Sequence, residues 1–207
     1  MQYYVESDGR VYLIDREGRL DLPTPEEVPF DVERIAPLVG DDVWFCVPVL
    51  DRHPHEWHFK DDLPSNPDAS SAVCRAVHAT MPRVVAEGLC LRDGRILLVK
   101  GSRGLTEGRW TLPGGFLRFG ESPDACVLRE IREEVGLDGT VLGFAGVRSK
   151  LGRQSRLHWT MLFYRVAIEG EPKPDPDEIS EARFFTLEEA ADMLFDGEMR
   201  SILQELR

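Results

Sequence analysis

Three observations predict an α/β fold, a β-sheet covered by helices, for the larger part of this chain. The runs "VVAEGLCL" and "RILLVKG" flank the turn "RDG", the pattern of a hairpin of two buried strands. The run "ESPDACVLREIREEVGL" carries helix punctuation at both ends. Two long apolar strand patterns and a second capped helix then follow, and strands mixed with helices in this order need a sheet with helices packed on it.

"YYV" and "VYLI" read as short strands broken by "SDGR" and "REGR", whose Asp-Gly and Glu-Gly steps suit tight bends. From Pro23 to Pro37 the prolines and acids break regularity; "VWFCVPVL" then reads as a strand and "DRHPHEWHFKDDLPSNPD" as loop. A helix is expected over Ala69 to Ala79, and a boundary near Met81-Pro82, because the pattern becomes far more regular from Val84 onward. This sets a β-rich module at 1–81 before a second domain at 82–207. In the central helix Ser122 is the expected N-cap, Pro123 suits the first helical position, Gly136 ends it, and Ala125, Val127, Leu128, Ile131 and Val135 form the inward face. "TVLGFAGVRS" and "HWTMLFYRVAI" are two further strands around the basic loop "KLGRQSR". After a proline-rich acidic loop, "EARFF" is a last short strand, and "TLEEAADML" opens a helix with Thr186 and Glu189 at capping-box spacing.

At 207 residues the chain is long enough to bury a real core, and its net charge of −12 argues against a nucleic-acid backbone or an anionic membrane as the main partner. No run reaches the roughly 18 apolar residues of a membrane span. Cys46, Cys74, Cys90 and Cys126 form no CxxC pair, which fits buried, reduced thiols and a cytoplasmic setting.

The chemistry concentrates in "GGFLRFGESPDACVLREIREEVGLDG". On a helix, residues three and four apart share a face, so Glu130, Glu133 and Glu134 project together and repel one another. Arg129 stands four residues before Glu133 and can pair with it. By composition such a stripe is open to two readings, a solvated face or a site for oxygen-loving divalent cations. The glycines Gly114 and Gly115 would leave space for a phosphate and offer a carbonyl to a metal.

Spacing bears on the choice. Gly115 is followed after five positions by Glu121, and after seven more by Arg129-Glu130-Ile131-Arg132-Glu133-Glu134-Val135-Gly136-Leu137. This segment resembles the signature of the Nudix hydrolases at every defined position, including the aliphatic Ile131 and Leu137. The likeness extends more loosely to "RWTLPGGF" and "DEISEARFFTLEEA", and leaves the first eighty residues outside it.

The resemblance implies a Nudix fold, a mixed β-sheet sandwiched between helices. It also implies Mg²⁺- or Mn²⁺-dependent hydrolysis of a nucleoside diphosphate linked to another moiety: ADP-ribose-like, a nucleotide sugar or a nucleoside triphosphate. Glu130 and Glu134 would be metal ligands with the carbonyl of Gly114 or Gly115. Glu133 would hold a second metal or activate water, Arg129 would orient the glutamates, and Glu121 would brace the loop. A general base can lie outside the signature, and Glu178 and Glu181 are placed for it by position alone. The resemblance also implies a homodimer, and the aromatic-rich stretches "VWFCVPVL" and "HEWHF" of the first module are open to two readings, packing across a subunit interface or folding onto the chain's own catalytic domain.

Other signals are weaker. Arg103, Arg109, Lys150, Arg153 and Arg156 lie in loops that can meet phosphates, with solvated charge as the alternative; Trp110 and Trp159 are open between base stacking and core packing. His53, His55 and His58, with Cys74 and His78, meet no standard zinc spacing. Lacking CxxC pairs, the chain does not match the zinc-ribbon NADH pyrophosphatases of the family, and the extra cysteine and glutamate of an isopentenyl diphosphate isomerase are not identified. The rival from another class is a non-catalytic Nudix sensor that binds nucleotides, against which stands the intact signature.

Overall fold

The computed structural model describes residues 1–38, 42–52, 54–152 and 155–206. The chain divides into two compact units, Met1–Pro82 with Leu151–His158, and Arg83–Lys150 with Trp159–Arg207.

In the first unit, β1 (Gln2–Ser7) and β2 (Arg10–Tyr12) pair antiparallel across Asp8-Gly9, and β3 (Ile14–Arg16) and β4 (Arg19–Asp21) across Glu17-Gly18. All four turn residues have positive φ, the geometry of tight hairpin turns. With β5 (Val32–Pro37), β6 (Val43–Pro48) and β7 (His58–Phe59), the sheet runs β5-β6-β1-β2-β7, with β1 and β6 parallel. Helix α1 (Ser71–Thr80) buries Val73, Ala76 and Val77 against Tyr4, Val11 and Leu63, and the Ser70 hydroxyl caps it by accepting from the Val73 N–H.

Strand β5 corrects the expectation of irregular chain from Pro23 to Pro37. It lies at the sheet edge, carries a bulge between Arg34 and Ala36, and ends on Pro37, where a missing N–H costs no ladder bond. Three consecutive exposed residues hide the alternation that would announce it.

The second unit opens with β8 (Arg83–Arg92) and β9 (Arg95–Gly101), joined by Asp93-Gly94 at φ 50° and 73°. β10 (Trp110–Thr111), β11 (Gly114–Phe116), helix α2 (Pro123–Val135), β12 (Gly139–Leu151), β13 (His158–Ile168), β14 (Ile179–Thr186), α3 (Leu187–Met193) and α4 (Gly197–Gln204) follow. The sheet order is β10-β9-β8-β13-β12, with β11 added to β8 and β14 to β9. β13 runs parallel to β8, whereas β9 and β11 run antiparallel to it, so the sheet is mixed.

Side-chain alternation along β8 and β9 separates two cores. Ala86, Cys90, Leu97 and Val99 meet Cys126, Val127, Ile131 and Val135 of α2. On the other face Val85, Leu89, Ile96 and Leu98 meet Ala190 of α3, Leu194, and Met199 and Ile202 of α4. Each fully buried aliphatic contributes roughly 1.5–3 kcal/mol, so this layering fixes where α2 lies relative to the strands.

Three details of the helices differ from the sequence reading. Ser122 occupies the N-cap position of α2 without a side-chain capping bond. Ala125 is exposed and Cys126 takes its place on the inward face, because the buried stripe runs through 126, 127, 131, 134 and 135. Helix α4 has no counterpart in the expected elements; Asp196 caps it by accepting from the N–H groups of Glu198 and Met199. Gly136 closes α2 in the left-handed region, and the Thr186–Glu189 box opens α3.

Candidate active site

Helix α2 brings its acids to strand β11 through two glycines. The Gly114 N–H donates to Glu134 Oε2 at 3.0 Å. A Cβ at Gly115 would stand 2.5 Å from Glu130 Oε1, so only glycine lets the Glu130 carboxylate lie against this strand. Gly114 has φ 155°, and a Cβ there would meet the Ala86 carbonyl oxygen at 2.3 Å.

Arg129 is the organising cation. Its side chain is only 16% exposed, and it donates to Glu121 Oε1 (2.7 Å) and Oε2 (2.9 Å), Glu130 Oε1 (2.7 Å), Glu133 Oε2 (2.9 Å) and the Phe116 carbonyl (3.1 Å). Glu121 is bound again by the Arg118 N–H at 2.9 Å. These bonds, Arg129 foremost, pull the Glu121 carboxyl down to about 2. Glu133 is the most exposed of the four, and Arg118 reaches it at 3.0 Å.

Burial dominates the other two. Glu134 is pushed well above the ordinary carboxylate value by desolvation; its bond from Gly114 opposes this, and the charges of Glu130 and Glu178 reinforce it. Glu130 is also raised by burial, against the pull of Arg129. Acids three and four apart on one helix therefore differ sharply in environment, one buried, one half-buried and one exposed.

Of the two loop acids, Glu178 stands near the cluster, where its charge acts on both Glu130 and Glu134; it also pairs with Arg103 at 2.5 Å. Glu181 is held by Lys100 at 3.0 Å and Arg183 at 2.5 Å, and these cations lower its pKa. It is committed to them rather than to the acids of α2. Arg109 lies with its guanidinium 5.3 Å from the Phe195 ring. Trp110 is 8% exposed and edge-on to Phe185, the core-packing alternative of the two open to it. Trp159 faces the Phe116 ring at 5.6 Å. Lys150 forms an ion pair with buried Asp196, and Arg156 belongs to the first unit. Arg153 and His53 lie outside the described residues.

Glu87 escaped the sequence reading. It sits in β8 opposite Gly114, is 6% exposed, and its Oε2 has no hydrogen-bond partner among the described residues. Burial, then the charges of Glu134 and Glu130, push its carboxyl well above the usual range, with Lys150 opposing. The available signal was one acid inside the apolar run "VVAEGLCL".

Among the described residues no three His, Cys, Asp or Glu side chains are already gathered at metal-binding distances. Arg129 draws Glu121, Glu130 and Glu133 to itself, and Gly114 holds Glu134. The donor chemistry nevertheless suits a hard divalent cation: buried carboxylates of like charge, an orphaned carboxylate oxygen, and a strand with no side chains in the way.

Residues 81–206 match the family model for the NUDIX domain. This chain belongs to the Nudix hydrolase family. A Nudix relative, the ADP-ribose pyrophosphatase of Methanocaldococcus jannaschii, is 35% identical over 117 residues, 56% of this chain and 69% of that protein. The NAD-capped RNA hydrolase NudC of Vibrio atlanticus is 32% identical over 58% of this chain, but the match spans only 43% of NudC. Among solved structures, a MutT Nudix hydrolase from Burkholderia pseudomallei superposes with a TM-score of 0.55 at 31% identity, covering 61% of this chain and 99% of that one. The Nudix fold is thus an enzyme scaffold here, with hydrolases among its relatives. Among the described residues no helix is long and apolar enough to cross a membrane.

Proposed function

We propose that this chain hydrolyses the diphosphate bond of a nucleoside diphosphate linked to a further moiety, with ADP-ribose-like compounds ahead of nucleotide sugars and nucleoside triphosphates, using Mg²⁺ or Mn²⁺. The observation that carries the proposal is the docking of Glu134 on the Gly114 N–H beside a Gly115 that admits Glu130. Glu130 and Glu134, with a carbonyl of Gly114 or Gly115, would hold the cation. When bound, such a cation neutralises phosphate oxygens and makes water a better nucleophile at neutral pH.

The chain's own groups do the positioning. Arg129 and Glu121 tie the loop after β11 to α2, so that the glycine backbone and the helix acids keep one geometry. Glu133, exposed and bonded by both Arg118 and Arg129, would take a proton from water or hold a second cation. Glu178 is the alternative acceptor from outside the signature. The name of the archaeal relative supports ADP-ribose as the first substrate to try.

Incubating the chain with a nucleotide panel and Mg²⁺ or Mn²⁺, and weighing both products, tests this reading. Cleavage between the two phosphates of ADP-ribose, giving AMP and ribose 5-phosphate, is expected. Tight nucleotide binding without turnover would instead establish the sensor alternative. We further propose that residues 1–81 form a module separate from the catalytic domain at 82–207. A chain beginning at Pro82 is expected to melt cooperatively and still bind Mn²⁺; loss of both would refute the division.

A further inference from the structure

We propose that Glu87, from a strand outside the signature segment, contributes a carboxylate to the divalent-cation site of Glu130 and Glu134. The inference rests on the cation reading above and extends it to a residue that lies on another element and another face of the sheet.

Side chains alternate between the two faces along β8. Val85 and Leu89 face α3 and α4, whereas Ala86 and Cys90 face α2. Glu87 shares the parity of Val85 and Leu89, so it leaves the strand on the face away from α2. Glu134 comes from α2 itself. The two carboxylates nevertheless meet at one residue: Gly114 gives its N–H to Glu134 Oε2 at 3.0 Å, and a Cβ at Gly114 would stand 2.7 Å from Glu87 Oε2. The missing side chain is what lets Glu87 fold over the strand.

Backbone geometry directs both acids to one edge. Gly114 pairs with Glu87, and the flanking Gly88 N–H donates to the Pro113 carbonyl at 2.7 Å. Ladder bonds at alternate pairs leave the Gly114 N–H and C=O pointing away from β8. The N–H side of that edge is where Glu134 arrives, and the carbonyl lies on the same edge. A cation there would find a carboxylate from each face of the sheet and a carbonyl between them.

A packing role explains Glu87 poorly. Oε2 bonds to nothing among the described residues, and the nearby Lys150 is engaged by Asp196. A buried carboxylate without a partner is costly, and a leucine would fill an apolar strand better. A bound cation supplies the missing partner.

Mn²⁺ titration of the full-length chain, stripped of metal with chelator and read by the free-Mn²⁺ electron paramagnetic resonance signal, tests the assignment beside thermal melting. Loss of an outer-shell partner alone commonly weakens metal affinity by 10–100-fold, so Glu87→Gln is expected to weaken Mn²⁺ binding at least about tenfold. Its metal-free melting temperature should equal or exceed that of the wild type. Glu87→Asp keeps the charge on a shorter arm and should fall between the two, which preserves the test if the glutamine variant does not fold. Wild-type Mn²⁺ affinity in a folded Glu87→Gln or Glu87→Asp, while Glu134→Gln loses it, overturns the role of Glu87 alone. Wild-type affinity in Glu87→Gln, Glu130→Gln and Glu134→Gln together overturns the cation reading, and this proposal with it.

Discussion

Replacing Arg129 tests the claim that one guanidinium holds the acidic cluster together in the absence of metal. Arg129→Met keeps much of the stem's packing and removes six donor contacts, two to Glu121 and one each to Glu130, Glu133, the Phe116 carbonyl and the Cys126 sulfur. The side chains of Arg129, Glu121 and Glu130 are 16%, 14% and 13% exposed, so water replaces the lost bonds incompletely. Bonds to charged groups are worth about 1.5–3 kcal/mol when shielded, solvent screening lowers that for groups of intermediate burial, and the 42% exposed Glu133 adds little. The expected loss in chelator is therefore about 1–3 kcal/mol, less than a sum over separate bonds because the contacts act as one unit. Arg129→Lys keeps the charge but loses the planar fork, and should recover only part of the loss. Urea unfolding in EDTA measures both variants. A loss below about 1 kcal/mol for Arg129→Met, or wild-type stability for Arg129→Lys, would show that the guanidinium fork does not hold the cluster together.

Other outcomes follow from the same geometry. Glu130→Gln and Glu134→Gln should remain folded while turnover falls by about a hundredfold or more, as for loss of a positioned catalytic group; steady-state rates with circular dichroism check this. Gly115→Ala forces Glu130 off the strand, so Mn²⁺ affinity measured by titration should fall while the melting temperature in chelator changes less than for Gly114→Ala, whose Cβ meets the backbone oxygen of Ala86. Because Glu87, Glu130 and Glu134 have raised folded-state pKa values, the stability they contribute is fully present below the ordinary glutamate value and is lost as pH rises through the folded ones. Metal-free melting temperature should thus decline with rising pH above about 4.5, and the Mn²⁺-induced increase should grow over the same range, since ligation needs the deprotonated acids. Glu121 works in the opposite sense, with its contribution lost only as pH falls towards about 2.

The parts of the fold that were legible are those specified by neighbours in sequence. Asp93-Gly94 marks a hairpin because only residues tolerating positive φ complete so tight a turn, and Gly136 stops α2 for the same reason. The Thr186–Glu189 box is visible because its two bonds join residues three apart. Strand β5 was not legible: its pairing with β6 depends on residues up to sixteen positions away, and its edge position removes the apolar alternation that would reveal it. Ala125 was misplaced by counting it as apolar, although a small side chain carries too little area to hold a helix face inward.

In the site, helical spacing placed Glu130, Glu133 and Glu134 near one another but did not rank them, because their burial is set by what α2 packs on. Glu134 is sealed by β11, Glu130 rests against Gly115, and Glu133 turns to Arg118 and solvent. The same limit explains Glu178 and Glu181, equivalent by position in the late loop. Glu181 falls within β14, where its registry beside Lys100 gives it a cation, while Glu178 remains ahead of the strand, where its charge acts on the acids of α2. Glu87 needed three relations at once: the parity of β8, the register that sets it opposite Gly114, and the absence of a side chain there. Each is written in the sequence, but they combine only when β11 is laid against β8, so an acid inside an apolar strand gains a reason only from a glycine 27 positions later.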